Sequence, residues 1–118
     1  MRYLIVATVA IVAALLLDGC RDATLTDYAE LRVAQLEVAD TLNHDGFALL
    51  PPCDCWRGEI LASSSEPLTL SEALALWYDS PPHRAILEHR WTHFGFATSD
   101  SVSLAARFYA VMLVEERE

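Results

Sequence analysis

Four side chains are of the types that acid–base, nucleophilic or metal chemistry uses: His44, Glu59, Ser80 and His83. Two neutral imidazoles and a carboxylate make a donor set for Zn²⁺ or another divalent metal. The same groups suit a hydrolase in which Ser80 or a metal-bound water attacks, His83 takes the proton and Glu59 orients it or serves as the acid. Each also has an ordinary reading. His44 lies in Asn43-His44-Asp45-Gly46, a helix-stopping turn. Ser80 is a natural helix N-cap, a role worth about 1 kcal/mol. His83 falls one turn into the helix that follows. Glu59 is the least ordinary, since a carboxylate in an otherwise apolar stretch has to find a partner.

The elements that must position these groups follow from spacing. A helix is expected from near Thr26, with Tyr28, Leu31, Val38 and Leu42 on its apolar stripe and Gly46 in a left-handed position beyond its end. Residues 53–62 read as an extended segment at the core edge. Thr69-Leu70-Ser71-Glu72 is a capping box opening a helix over residues 70–78, with Trp77 packing its end onto the core. Ser80 and Pro81 then restart the chain as a short helix carrying His83. Residues 93–98 read as a strand, with Gly95 allowing another backbone to approach closely. A turn at residues 99–101 leads to a long strand over residues 104–114, apolar on both faces, and a charged tail over residues 115–118. Helices first and an antiparallel hairpin last make an α+β sandwich.

Residues 1–19 form a separate unit. A basic Arg2 precedes about 15 apolar residues, the length of a signal-peptide core, whereas a spanning helix needs about 20. Leu17-Asp18-Gly19-Cys20 resembles a bacterial lipobox, which implies cleavage before Cys20 and lipidation of its sulfur; an uncleaved anchor and an ordinary signal peptide are the alternatives. Residues 20–25 then read as a polar tether and residues 26–118 as one domain. Cys53 and Cys55 are disulfide candidates in an oxidising compartment, the alternatives being free thiols, an intermolecular bridge or metal ligation. The formal net charge of −9 excludes nucleic acid as a natural partner.

Gly58-Glu59-Ile60-Leu61-Ala62, and Trp77 followed by Ser80-Pro81-Pro82-His83-Arg84-Ala85-Ile86-Leu87, resemble the motifs of the CAP superfamily (cysteine-rich secretory proteins, antigen 5 and pathogenesis-related proteins), in its bacterial branch. The resemblance implies an α-β-α sandwich with a small antiparallel sheet, abridged here at the N-terminus. It further implies a cleft in which His44, Glu59 and His83 hold a metal or ligand. The expected protein is an envelope-anchored, extracytoplasmic module that binds a protein partner or small apolar ligand and meets the membrane through an N-terminal lipid. A peptidase-like hydrolase using His83 and Glu59, and an interaction lipoprotein with a relic cleft, are the alternatives.

Overall fold

The computed structural model describes residues 19–118, so the expected signal segment lies, except for Gly19, outside the described residues. The chain runs β1 (Cys20–Arg21), α1 (Ala23–Ala39), a 3₁₀ turn (Phe47–Leu49), β2 (Trp56–Ser64), α2 (Leu70–Tyr78), α3 (Pro81–Leu87), β3 (His93–Thr98) and β4 (Phe108–Glu116). The fold is α+β. Its four strands stand in the order β1-β3-β4-β2, with β1 parallel to β3 and the other neighbours antiparallel. The expected all-antiparallel sheet is therefore a mixed one.

β4 lies at the centre, and its side chains alternate between two cores. Ala110, Met112 and Val114 join Ile60, Ala62, Phe94 and Phe96 beneath α2 and α3. Tyr109, Val111 and Leu113 join Leu61 and Ala97 beneath α1. Strands covered on both faces read as continuous apolar runs, as the sequence of β4 does. Trp77 is 2% exposed, and its indole N–H donates to the Leu61 carbonyl at 2.8 Å, which ties α2 to the sheet. Burying a side chain of this kind contributes roughly 1.5–3 kcal/mol.

Several boundaries differ from expectation. Residues 20–25 are not a tether. Cys20 and Arg21 pair with His93 and Phe94, and Asp22 caps α1, accepting from the Leu25 N–H at 3.0 Å. This cap holds the Asp22 carboxyl below the usual carboxylate range. The helix buries Leu25, Ala29, Arg32, Val33 and Leu36, and it leaves Leu31 and Val38 exposed. The stripe is rotated because Arg32, a charged side chain, belongs to the buried face. α1 ends at Asp40, itself in the left-handed region (φ 54°), and Gly46 is right-handed (φ −70°). What Gly46 supplies is space, as a Cβ there would strike the Gln35 and Arg32 side chains. β4 starts at Phe108 and runs through Glu115 to Glu116, so the expected tail is partly strand and Glu115 is buried.

Two local expectations hold, the capping box and the close approach at Gly95. Thr69 and Glu72 form the reciprocal capping box. At Gly95 a Cβ would strike the backbone of Leu25 and Thr26, so α1 meets β3 only because that side chain is missing. Cys53 and Cys55 form a disulfide.

Candidate functional site

Glu59 points from β2 toward α1, on the same face as Leu61. There it meets Arg32, which occupies a place in the helix stripe that an apolar residue would otherwise fill. Arg32 Nε donates to Oε2 at 2.7 Å and Nη2 to Oε1 at 3.1 Å. Both side chains are 1% exposed. Two more guanidinium hydrogens are used as well. Nη1 donates to the Gln35 side chain and Nη2 to the Asn43 carbonyl, each at 2.6 Å. The Asn43 side chain accepts from the Asp45 N–H at 3.1 Å, which folds the turn that carries His44. His44 Nδ1 then reaches Glu59 Oε1 at 2.8 Å, while its side chain is 64% exposed. Against a carboxylate acceptor, Nδ1 is the protonated nitrogen.

This is an orienting carboxylate and an oriented imidazole, two parts of a three-part catalytic arrangement. The third part is elsewhere. Ser80 and His83 sit at the junction of α2 and α3, helices that pack on the opposite face of the sheet from Glu59. The expected convergence of His44, Glu59 and His83 is corrected accordingly: His44 joins Glu59, and His83 does not. Ser80 precedes α3 in an extended conformation but makes no side-chain cap bond. The corner is fastened instead by Arg84, whose Nε donates to the Tyr78 carbonyl at 2.7 Å and whose guanidinium lies 4.8 Å from the centre of the Tyr78 ring.

Metal binding can be weighed from the donors themselves. At Glu59 the Arg32 guanidinium fills the position a cation would take, so the residues do not fit a metal. Among the described residues, the one grouping of three His, Cys, Asp or Glu ligand atoms close enough to share an ion is Cys53, Cys55 and Glu115. It does not fit either. The two sulfurs are bonded to each other. Glu115 is held by Arg57 at 2.6 Å and by Arg117 at 2.6 and 2.8 Å. Sequence reasoning misses the Glu115 cluster because it hides in a run of charged residues that looks like a solvated tail. The signal that could have found it is Arg57, a base two residues before Glu59 and in the same alternation of β2, with Arg57 paired to Glu115 in the sheet register.

No family model matches the chain, and no curated protein matches it. A solved structure described as an outer surface protein from Borrelia burgdorferi is similar in fold, with a TM-score of 0.71 and 20% identity over 95% of this chain and 91% of that one. At that identity the likeness concerns the fold alone. The resemblance to the CAP superfamily is overturned: no model of that family matches, and the structural neighbour is an outer surface protein. The residues that carried the resemblance have local explanations. Trp77 packs α2, Pro81 and Pro82 open α3, and Arg84 pins the corner between them. A helix–corner–helix needs such residues whatever its ancestry.

Proposed function

We propose that the chain is a small envelope module, attached to a membrane at its N-terminus, that works through its surface by binding a protein partner and not by catalysis. The observation that carries this reading is the state of Glu59. A carboxylate clamped by a bidentate arginine and 1% exposed is neither an available base nor an available ligand. Ser80 and His83, from which chemistry was also expected, stand on the far face of the sheet, away from the His44–Glu59 pair. Attachment is supported by the basic start, the apolar run and the lipobox-like Leu17-Asp18-Gly19-Cys20. It is supported more coarsely by the fold shared with an outer surface protein. Among the described residues no helix is long and apolar enough to cross a membrane. Two acyl chains on Cys20 would give stable anchoring, since each buried CH₂ adds about 0.8 kcal/mol.

The test is metabolic labelling of the full chain with a radiolabelled fatty acid in a bacterial host, followed by membrane fractionation. Label in the membrane fraction that Cys20→Ser removes is the expected result; an unlabelled chain in the soluble fraction would refute attachment. A rise in Tm on adding Zn²⁺ that His44→Ala abolishes would overturn the non-metal reading of Glu59.

A further inference from the structure

The register of the sheet places four things at one end of it. The Cys20 N–H donates to the Thr92 carbonyl at 2.8 Å, and Cys20, His93, Glu115 and Arg57 form one row across β1, β3, β4 and β2. One residue outward of that row stand Gly19, Thr92, Glu116 and Trp56, with Trp91 next to Thr92. The chain therefore enters the fold at the end where two tryptophans are. It enters without slack, because pairing begins at Cys20 and only Asp18 and Gly19 separate it from the apolar run. Two extended residues span at most about 7 Å. β2 lies three strand spacings from β1, about 14 Å across the sheet. Anything that holds the N-terminal run in a bilayer, or an acyl chain on Cys20, holds Trp56 near the same surface.

That end has the side chains a lipid interface takes. Trp56, Ala85, Ile86, His89 and Trp91 line an open apolar groove of about 430 Å³. Trp91 is a fixed wall: its indole N–H donates to the Ile86 carbonyl at 2.7 Å, and the His89 ring lies 4.4 Å from it. Trp56 is 75% exposed, unlike Trp77 and Trp91. Exposing a tryptophan this far to water is unfavourable, whereas the headgroup region accepts both its ring and its N–H. Val102 and Leu104, also exposed, lie in the β3–β4 connection at the opposite end, away from the chain entry. One carboxylate stands beside the groove, where the lining residue His89 reaches Glu116 at 3.1 Å. With a net charge of −9 the domain is repelled by anionic lipid, so a zwitterionic surface is the complementary one.

We propose that the Trp56–Trp91 groove is a membrane seat. The β1-entry end of the sheet lies against a zwitterionic bilayer surface, Trp56 inserts among the headgroups, and the domain is held in one orientation with the β3–β4 connection facing away. This rests on the N-terminal attachment proposed above.

The experiment uses the full chain reconstituted in phosphatidylcholine vesicles. Flotation reads attachment, and quenching of tryptophan emission by bromine-labelled acyl chains reads the seat. The expected result is flotation with quenching that Trp56→Phe largely removes; Trp56 is exposed, so the substitution leaves the core intact, and unchanged emission from the remaining Trp77 and Trp91 in the absence of lipid verifies that. Replacing a third of the lipid with phosphatidylglycerol is expected to weaken the quenching, and a stronger signal there overturns the zwitterionic preference. Flotation without Trp56-dependent quenching overturns the seat while attachment stands. Absence of flotation overturns both. Concentration-dependent cross-linking through the Trp56 face, with no quenching, would assign the groove to a second copy of the chain and also overturn the seat.

Discussion

Two buried carboxylates stand on the α1 face of the same sheet, and they are built differently. Glu59 is answered by one arginine from a helix 27 residues away, inside the core, and on its outer side by the exposed His44 ring. Glu115 is answered by two arginines, Arg57 directly opposite in β2 and Arg117 just past the end of β4, at the sheet end where the bases are 14% and 37% exposed. Arg117 also reaches Asp22 at 3.3 Å, which links the end of β4 to the cap of α1. Its guanidinium is held charged even more firmly than usual, by the Glu115 bond first. The first cluster depends on a single buried arginine, with His44 adding only an exposed contact. The second is a shared one, in which losing a member leaves the carboxylate partnered and water close by. Burial alone therefore says little about what a charge contributes; the number of partners and the access of water decide it.

The comparison can be broken by substitution. Arg32→Met leaves buried Glu59 with only the exposed His44 ring as a partner and is expected to lower unfolding stability by about 3–5 kcal/mol, read from the urea midpoint. Adding Glu59→Leu to it should recover most of that loss, because an apolar pair of similar volume needs no desolvation of charge. A double variant as unstable as the single one would mean that the damage is steric and the ion pair incidental. Arg57→Ala should cost less, about 1–2 kcal/mol, since Arg117 stays on Glu115. If it equals Arg32→Met, the sharing argument fails.

A second contrast concerns pH. Burial, and then the hydrogen bond to Asp40 at 2.7 Å, push the Tyr109 phenol up to about 12 from 10.0. The folded state thus holds this proton more tightly than the unfolded chain. Its contribution is present in full below pH 10 and is lost as pH rises toward 12. Thermal unfolding across that interval should show a falling Tm, and Tyr109→Phe should flatten the fall. The smallest effect belongs to His44→Ala. The ring is 64% exposed, and Arg32 still satisfies Glu59, so the change should stay within about 0.5 kcal/mol.

Much of the local structure is legible in the sequence. The Thr69–Glu72 capping box, the tight approach at Gly95 and the buried Trp77 all follow from what those residue types do to their neighbours. The α1 stripe is easily misread because a charged residue counts as a solvent-facing one. Leu25, Ala29, Arg32 and Leu36 keep helical spacing, yet the third member owes its burial to a carboxylate on another element. Glu59 does announce that it needs a partner. Which of the eight basic side chains answers is a matter of where the chain folds back. The candidate site is half legible for the same reason: His44 and Glu59 do meet, whereas His83 enters on the strength of a motif that describes a helix corner.

The sequence by itself determined the starts of α2 and α3, the alternation of β4, the α+β composition and the presence of a buried carboxylate demanding a cation. These depend on backbone dihedrals and side-chain periodicity, which act over a few residues. Only the tertiary structure decided that Arg32 is that cation, that Glu115 is buried, that His83 and Glu59 lie on opposite faces, and that the chain enters beside Trp56 and Trp91. Each of these is set by strand order and register, through which residues far apart in the chain become neighbours and residues close in the chain, such as Trp56 and Arg57, face opposite ways.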